Sequence, residues 1–393
     1  MGRKSVDVVI AGGGVMGAAV AFWLTRLGKA SVLVVEPDPA QRRSATALSV
    51  ASIRQQFTTP INVAISRFGI GFIRDFGAWT GPASGVSDLG LVENGYLFLA
   101  GSEAAADTMR RAVGMQRELG AGTLILDRGD VASRFPWLQA KDIVLASFGP
   151  RDEGWFDNMG LRSGLLRAAI ATGAEVVRDR VISVEAAGGR VTGAILEHDG
   201  QVTCGHLVNA AGSAAASIIH SLGEELPVEP RKRTVFVIDA PEARMPRAPL
   251  VVDHSGIYFR PVGRHWITAS VPESDGPADP TDFEPDWEQF EETVWPRLAA
   301  RASAFETARV MRAWAGHYEF NRMDQNGIVG FWPGRENLVL ACGFSGHGLQ
   351  QAPAVGRGVA ELILFGSYQT LDLGDLRPSR IHDERPLREG AIV

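Results

Sequence analysis

The sequence predicts an α/β fold built from two interlocked domains. Three observations support this prediction. A strand, a glycine-rich turn and a helix open the chain, and a buried strand with a similar turn and helix follows near residue 340. The 393 residues are too many for one simple core. The composition, with 45% hydrophobic and 21% charged residues, is ordinary for a globular protein.

Charge and cysteine usage restrict the possible partners. The net charge of −6 gives no reason to expect nucleic acid or an acidic membrane surface. Cys204 and Cys342 lie in no CxxC or Cys/His cluster, which predicts reduced thiols, a cytoplasmic location and no metal site. No apolar run reaches about 18 residues, so we predict no membrane span. Glycines interrupt the apolar run after Arg3 and Lys4, which favours a strand over a signal peptide.

The first motif has the arrangement of a dinucleotide site. A β-branched run at residues 6–10 leads into Gly-Gly-Gly-Val-Met-Gly at 12–17, and helical spacing of apolar residues continues to Gly28. A second strand at residues 31–35 is followed by Glu36. The order of strand, G-x-G-x-x-G, helix, strand and acid predicts a bound dinucleotide. The alternative is a glycine-rich turn without a ligand.

Each residue type in this motif has a physical role. Gly12 permits the tight turn, Gly14 lets the backbone approach a pyrophosphate, and Gly17 lets the helix pack on the strand. The helix N-terminus offers N–H groups and positive potential to phosphates. Glu36 can accept hydrogen bonds from both ribose hydroxyls, which argues against NADP. This unit alone does not decide between NAD and FAD.

The rest of the chain alternates predicted helices and strands. Helices are predicted at 60 to about 79, 102–119, 161–172, 282–301 (amphipathic) and from about 353 to 365. Strands are predicted as a hairpin within 91–100 turning at 94–95, a meander of 176–184, 191–198 and 201–208, several strands within 228–270, and a buried strand at 339–341. The tail from Asp372 is polar and rich in proline and arginine, and we expect it on the surface.

Two further motifs join the first in carrying a family resemblance. One is Val-Asn-Ala-Ala-Gly at residues 208–212, and the other is Gly-Phe-Ser-Gly-His-Gly at 343–348 with Pro353 and Gly356. With these motifs the chain resembles the FAD-dependent D-amino-acid oxidase superfamily over nearly its whole length. Trp-Ala-Gly-His-Tyr at 314–318 resembles sarcosine, dimethylglycine and proline dehydrogenase-like members.

A second comparison concerns subgroups of this superfamily. Asp324, together with the Trp-Ala-Gly-His-Tyr segment, contributes to the resemblance to the dehydrogenase-like members. Residues 53–57 (Ile-Arg-Gln-Gln-Phe) and 343–358 are similar to the FAD-dependent oxidoreductase-domain proteins, some of which are mitochondrial assembly factors.

The resemblance implies a discontinuous, Rossmann-like FAD-binding domain of the glutathione-reductase type. Its segments would be residues 1–80, 150–215 and 335–393. A substrate domain with an antiparallel sheet would be formed by residues 81–149 and 216–334.

The resemblance also assigns residues to FAD. They lie in the three motifs, in the early loop and at single matching positions: Gly12, Gly14, Val15, Met16, Gly17, Glu36, Pro37, Ser44, Thr46, Ser49, Ile53, Val181, Ala211, Gly212, Gly316, Gly346, His347, Gly348, Leu349 and Gln350. Relatives with a cysteinyl flavin carry the cysteine where this chain has Gly316. Relatives with a histidyl flavin carry a histidine in the early loop, and residues 44–52 contain none. We therefore predict noncovalent FAD.

Candidate catalytic residues follow from the same resemblance. Arg54 matches an arginine that reaches the substrate carboxylate, although it could instead contact FAD or a neighbouring acid. The second carboxylate ligand of relatives, a lysine, falls on Gln350, which weakens the case for a simple amino-acid carboxylate. The backbone at 346–349 opens a helix aimed at the flavin, where its N–H groups would stabilise negative charge. His347 is either an acid or base there, or only a backbone contact.

Two tyrosines complete the candidate site. Tyr258 is expected on a strand above the flavin, sharing a face with Arg260, unless a shift of one residue turns Phe259 inward instead. Tyr318 matches a family tyrosine, with core packing as the alternative. His317 is a weaker candidate.

These residues predict an FAD-dependent amine dehydrogenase or oxidase acting on a small secondary or tertiary amino acid, such as an N-methylglycine or proline. The electron acceptor would be oxygen, a quinone or a redox protein. The lysine with which sarcosine oxidase-like relatives activate oxygen falls on Ile267, which predicts a dehydrogenase or a slow oxidase. An NAD(P)-dependent dehydrogenase would leave residues 343–356 without a purpose. A flavoprotein serving as an assembly or interaction factor is the alternative from another class.

Overall fold

The computed structural model describes residues 4–390. The outermost residues of the predicted FAD-domain segments, 1–3 (with Arg3) and 391–393, lie outside this range. The strands are β1 Lys4–Ala11, β2 Val32–Val35, β3 Ser52–Ile53, β4 Tyr96–Ala100, β5 Leu124–Leu126, β6 Leu145–Gly149, β7 Gly154–Trp155, β8 Glu175–Val177, β9 Val181–Ala187, β10 Arg190–Leu196, β11 Gly200–Asn209, β12 Val228–Asp239, β13 Leu250–Val252, β14 Ile257–Val262, β15 His265–Ser270, β16 Arg309–Asn321, β17 Ile328–Phe331 and β18 Leu338–Cys342. The helices are α1 Val15–Leu27, α2 Pro60–Arg74, α3 Phe76–Thr80, α4 Glu103–Glu118, α5 Arg128–Arg134, α6 Asn158–Ala171, α7 Ala215–His220, α8 Trp287–Gln289, α9 Trp295–Arg301, α10 Gly348–Phe365 and α11 Ser379–His382.

The first sheet is mainly parallel and has the order β17-β18-β11-β1-β2-β8. β10 pairs antiparallel with β11, and β9 pairs with β10. Alternate residues of β1 face opposite sides. Val8 and Ile10 pack with α1, α6 and α10, while Val9 and Ala11 pack with β9–β11 and α7. The sheet is therefore buried on both faces, and the loops at the carboxyl ends of its parallel strands meet at one edge.

The second sheet has the order β16-β12-β15-β14-β13-β4-β6-β5. Its pairs are antiparallel except β13 with β4. One face packs on α5, α9 and the π-helical turn Phe290–Val294, around buried aromatic residues such as Phe259 and Trp266. The other face is directed toward the first sheet. The mixed α/β fold is as predicted, and the division into two domains stays a prediction. β17 belongs to the first sheet, although the predicted boundary at residue 335 places it in the substrate domain.

Four local predictions were wrong. The predicted hairpin at 91–100 does not form, because Val92 bridges to Trp155 and β4 pairs with β6 and β13. The helix predicted from 60 to 79 is interrupted at Asp75, which leaves the helical conformation. The strand predicted at 176–184 is two strands, β8 in the parallel part and β9 in the meander. The buried carboxylate of Asp179 holds the turn between them by accepting the N–H of Asp199 at 2.9 Å.

The fourth prediction, a C-terminal tail on the surface, holds for the exposed residues 382–386 but is wrong for other parts of the tail. Leu373 and Leu376 are fully buried. Arg380 is buried as well, and its Nε donates to Asp324 at 2.8 Å. Buried Glu389 accepts the N–H of Thr58 at 2.6 Å. The contact of Glu389 thus joins the C-terminal tail to the segment before α2. The polar composition of the tail did not indicate this contact.

Three helix starts also differ from the predicted positions, and the first of these helices, α6, begins at Asn158 instead of 161. The amphipathic helix begins at Trp287 instead of 282, because the Asp286 side chain caps it by accepting the Gln289 N–H at 3.2 Å. α10 begins at Gly348, five residues before Pro353. Among residues 4–390, no helix combines the length and the apolar character needed to cross a bilayer.

Candidate functional site

A cavity of about 760 Å³ lies between the two sheets. Its first wall consists of the loops that follow β1, β2 and β11 and of the N-terminus of α10. Its second wall consists of β12, β14 and β16 of the second sheet. A cavity at the carboxyl ends of parallel strands is where α/β folds bind ligands.

The glycines after β1 shape the first end of the cavity. Gly12 has a φ of 98°, and a Cβ there would overlap the carbonyl oxygen of Ala210. A Cβ on Gly17 would overlap the Gly12 carbonyl, so glycine is required for α1 to approach β1. A Cβ on Gly14, in contrast, would meet only side-chain atoms, with Thr46 Oγ1 the nearest at 3.3 Å. The backbone fold therefore requires glycine at positions 12 and 17, whereas Gly14 leaves space for a ligand at the N-terminus of α1.

Glu36 lies at the same end, directly after β2. Its carboxylate accepts the N–H of Gly13 and the N–H of Asp38, each at 2.7 Å. The N–H of Val15 donates to Thr46 Oγ1 at 3.0 Å, and the N-cap residue of α1 offers no side-chain cap. An acidic acceptor beside an open helix N-terminus matches a ribose next to a phosphate.

The N-terminus of α10 faces another part of the cavity. Gly346 has a φ of 91°, and His347 is the N-cap residue without a side-chain cap bond. Burial and the positive charge of Arg54 lower the pKa of His347 to about 3. The imidazole is therefore neutral, and the positive potential here comes from the helix and from Arg54.

Arg54 follows β3 and points into the cavity. Its guanidinium lies over three aromatic rings, with centroid distances of 4.7 Å to Phe57, 5.4 Å to Phe98 and 5.9 Å to Tyr96. Nη2 lies 3.0 Å from His347 Nε2. Within residues 4–390, no carboxylate forms an ion pair with Arg54. A cation held by π-faces and a neutral imidazole is available to an anionic ligand.

Gln350, a predicted ligand contact, does not line the cavity. Its Oε1 accepts the backbone N–H of Arg54 at 2.8 Å, and the side chain is buried. Gln350 therefore fixes the segment that carries Arg54.

Tyr258 of β14 faces the cavity, which resolves the uncertain register. Phe259 points to the opposite side and is fully buried in the core of the second sheet. Burial raises the pKa of Tyr258, so its hydroxyl stays protonated at neutral pH. Arg260 shares the face of Tyr258 but does not line the cavity. Its Nη2 donates to the Val50 carbonyl at 2.7 Å.

Tyr318 of β16 is joined to a residue that the sequence analysis missed. Arg233 Nη2 donates to the Tyr318 hydroxyl at 2.5 Å, and both residues line the cavity. Arg233 also forms two hydrogen bonds with the carboxylate of Asp275, at 2.7 and 2.9 Å. Burial raises the pKa of Tyr318. No sign of this role is present in the sequence, because it arises from the pairing of β12 with β16, which places Arg233 opposite Gly316.

Glu319 is a second residue that the sequence analysis missed. It lines the cavity near Gly212, and burial raises its pKa to about 7. Its Oε2 has no hydrogen-bond partner among the described residues. The sequence alone does not distinguish this glutamate from an exposed one, because its burial results from its position opposite the loop at 343–345.

The weaker candidate, His317, also lines the cavity. Its ring packs against Phe283 at a centroid distance of 4.4 Å, and burial lowers its pKa. Gly316 lies beside Leu48, and a Cβ added to Gly316 would be 2.8 Å from the Leu48 Cβ. Cys342 is buried in the core on the far side of the first sheet. Noncovalent attachment stays a prediction.

Most of the predicted residues meet at this one cavity. The predicted residues that line it are Gly12, Gly14, Val15, Met16, Glu36, Pro37, Ser44, Thr46, Ser49, Arg54, Val181, Ala211, Gly212, Tyr258, Gly316, Tyr318, Gly346, His347, Gly348 and Leu349. Three predicted cofactor contacts do not line it. Gly17 packs α1 on β1, Ile53 is fully buried in the core, and Gln350 holds Arg54.

These features fit FAD on grounds of the structure itself. The cavity offers an acid for a ribose, an open helix N-terminus for a pyrophosphate and a second open helix N-terminus for an electron-rich ring. A mononucleotide would leave the second helix N-terminus without a partner. The two helix ends face the same cavity, as a long dinucleotide requires.

Comparison with known proteins gives an independent result. The family DAO, described as FAD dependent oxidoreductase, matches residues 7–362. The chain is 40% identical to FAD-dependent oxidoreductase domain-containing protein 1 of Bos taurus, over 98% of this chain and 87% of that protein. It is 24% identical to the mitochondrial sarcosine dehydrogenase of Homo sapiens, over 92% of this chain and 40% of that one. The crystal structure of L-proline dehydrogenase from P. horikoshii superposes with a TM-score of 0.86 at 25% identity, covering 98% of this chain and all of that one.

Proposed function

Because the chain belongs to the DAO family of FAD-dependent oxidoreductases, we propose that it oxidises the C–N bond of a small secondary or tertiary amino acid. The observation that supports this proposal is Arg54, a guanidinium that forms no ion pair among the described residues and faces the cavity beside the N-terminus of α10. An α-carboxylate is the group that such a site binds with two charge-assisted hydrogen bonds. Names of relatives include sarcosine dehydrogenase and glycine oxidase, which act on amino acids of this size.

Arg54 binds and orients the substrate in this proposal. Neutral His347 accepts a hydrogen bond from Arg54, and Gln350 holds the Arg54 backbone, so the guanidinium is oriented before the substrate arrives. The three aromatic rings exclude water from one side of the guanidinium, which strengthens its attraction for a carboxylate.

The second sheet closes the other side of the substrate. Tyr258 and Tyr318 keep their protons at neutral pH, so they donate hydrogen bonds and do not serve as general bases. FAD, when bound, supplies the acceptor for the hydride. The N–H groups at the start of α10 stabilise the negative charge that this transfer produces.

The experiment is anaerobic mixing of the FAD-loaded protein with matched amines. Sarcosine is compared with N-methylethylamine, and proline with pyrrolidine, so that each pair differs by the carboxylate. We expect the oxidised flavin band to bleach only with the carboxylate-bearing member. Equal bleaching by both members would refute the role of Arg54, and no bleaching by any amino acid would leave the assembly-factor alternative. The predicted cytoplasmic location also stays open to test, since sarcosine dehydrogenase relatives are named as mitochondrial.

A further inference from the structure

A second cavity of about 550 Å³ lies between α4 and the strands β4 and β13. It has no counterpart among the predicted site residues. Its walls are mostly apolar, with Phe98, Met109, Ala112 and Val113 among the lining side chains. An apolar space of this size, open to solvent on one side, exceeds what packing defects produce in a protein interior.

The second cavity begins where the first one ends. Val252 and Val271 line both cavities. Tyr96 and Phe98 lie two residues apart on the same face of β4; Tyr96 lines the first cavity and Phe98 the second. The Phe98 ring also lies 5.4 Å from the guanidinium of Arg54. The two cavities therefore adjoin at Val252 and Val271, next to the guanidinium of Arg54.

One residue that lines the second cavity, Gln116, has an unsatisfied polar atom. Gln116 exposes 3% of its surface, and its Nε2 donates to the Phe57 carbonyl at 2.8 Å. That bond fixes the amide orientation, so Oε1 is the free acceptor, and it has no partner among the described residues. Other polar groups at the lining are paired, as Gln56 is with Ser147 at 2.6 Å. A buried acceptor without a partner indicates a ligand group that donates a hydrogen bond.

We propose that the second cavity receives the side chain of the substrate whose carboxylate Arg54 binds. This inference rests on the proposed function and narrows its substrate class. The preferred substrate is an N-substituted amino acid with a large apolar side chain that carries a hydroxyl or N–H, and not an N-methylglycine. The carboxylate lies at Arg54, the apolar portion passes Phe98 and Val252, and the donor reaches Gln116 Oε1.

The test measures binding of unreactive carboxylic acids to the FAD-loaded protein by calorimetry. Straight-chain acids from acetate to hexanoate probe the apolar walls, and the Kd should fall about fourfold for each methylene that enters the cavity. The pair 3-phenylpropionate and 3-(4-hydroxyphenyl)propionate probes Gln116. The hydroxylated acid should bind about fivefold more tightly.

Two variants locate the effect. Ala112→Phe fills the cavity and should remove the dependence on chain length while acetate binding is kept. Gly114→Phe, on the exposed side of the same helix with no atom within 4 Å of an added Cβ, is the matched control and should keep that dependence. Gln116→Leu adds no bulk and should abolish the preference for the hydroxylated acid, so the proposal remains testable if Ala112→Phe does not fold.

The outcomes separate this inference from the proposed function. Acids that bind through Arg54 with a Kd independent of chain length overturn the side-chain cavity and leave the proposed function intact. Equal binding of the phenyl and hydroxyphenyl acids overturns the role of Gln116. If no acid binds, and no amino acid bleaches the flavin, both the proposed function and this inference fall.

Discussion

Arg54 Nη2 donates a hydrogen bond to His347 Nε2 over 3.0 Å, which joins the loop after β3 to the N-terminus of α10. Arginine has only donors, so Nε2 must be the acceptor and the ring carries its proton on Nδ1. The bond exists only while the imidazole is neutral. The pair therefore couples the proposed carboxylate site to the helix that faces the flavin.

Replacement of Arg54 by alanine should weaken substrate binding far more than FAD binding. Loss of a charge-assisted contact to a buried carboxylate costs on the order of 2–5 kcal/mol, or about 30- to several-thousand-fold in Kd. Anaerobic titration measures the substrate Kd, and flavin absorbance per protein measures retention. Arg43→Ala is the control, since Arg43 also lines the cavity but packs on Phe283. An unchanged substrate Kd with lowered flavin content would assign Arg54 to the cofactor.

Acid should destabilise the wild-type protein through His347. The folded pKa of about 3 is below the ordinary value of 6.5, so the unfolded chain binds a proton that the folded chain excludes. This contribution to stability is complete above pH 6.5 and is lost as pH falls toward 3, by up to about 1.4 kcal/mol per pH unit. Denaturant unfolding of wild type and His347→Asn at several pH values should show the difference in free energy of unfolding changing over this window.

The control for that measurement is His198→Asn. A hydrogen bond from exposed His198 to Asp179 raises the pKa of His198, so its effect has the opposite sign and appears as pH rises. A pH-independent difference between wild type and His347→Asn would show that the buried ring does not exclude a proton.

Gly14→Val should yield a folded but colourless protein. A Cβ at Gly14 meets Thr46 Oγ1 at 3.3 Å and Gln41 Oε1 at 4.0 Å, so a small shift of these side chains accommodates it, whereas the branched side chain fills the approach to the helix N-terminus. Gly17→Val is the contrasting variant, because its Cβ would overlap the Gly12 carbonyl and prevent folding. Circular dichroism and flavin content distinguish the two cases. A yellow Gly14→Val protein with full FAD would contradict the assignment of the pyrophosphate site.

The glycine positions were predictable because each satisfies a local backbone requirement. A tight turn, a close approach and a helix crossing are all encoded within a few residues of sequence. Arg54 was predictable only through family resemblance, because its aromatic neighbours come from β4 and from the segment after β3. Arg233 and Glu319 were missed because their roles arise from pairing of β12 with β16 and from packing against residues 343–345.

The C-terminal tail also shows the difference between features encoded in local sequence and features that depend on tertiary contacts. Its charged residues suggested a solvated segment, but Arg380 and Glu389 are buried and paired with partners 50 or more residues away in sequence, such as Asp324 and Thr58. A buried ion pair and an exposed charge have the same local pattern. Only the tertiary partner distinguishes them.

Acid precipitation should release all of the flavin into the supernatant. Attachment through cysteine requires a thiol at the cavity, and the position used by cysteinyl-flavin relatives is Gly316, where a Cβ would lie 2.8 Å from the Cβ of Leu48. Cys342 is fully buried, and burial raises its pKa, which makes its thiol a poor nucleophile. Absorbance of the pellet and supernatant provides the measurement. Yellow colour that remains in the washed pellet would demonstrate a covalent bond.

The reduced flavin should react slowly with oxygen. Oxygen first becomes superoxide, and a fixed positive charge beside the flavin stabilises that anion, more strongly where water is excluded. The position at which oxidase relatives carry a lysine is Ile267, which packs with Val235, Trp314 and Tyr258 on the cavity side of the second sheet. The adjacent cation, Arg260, does not line the cavity, and its guanidinium donates to the Val50 carbonyl.

Ile267→Lys therefore should accelerate reoxidation by about tenfold or more, equivalent to about 1.4 kcal/mol of transition-state stabilisation. Ile267→Gln is the matched control, since it adds polarity and length without charge. The flavin is reduced anaerobically, mixed with air-saturated buffer and followed by absorbance, with a dye acceptor in a parallel reaction. Because the effect depends on charge and not on polarity, only the lysine variant should show faster reoxidation by oxygen. Fast reoxidation of the wild type with stoichiometric hydrogen peroxide would mean that Arg233 or Arg54, the arginines beside the tyrosines, already supplies the charge.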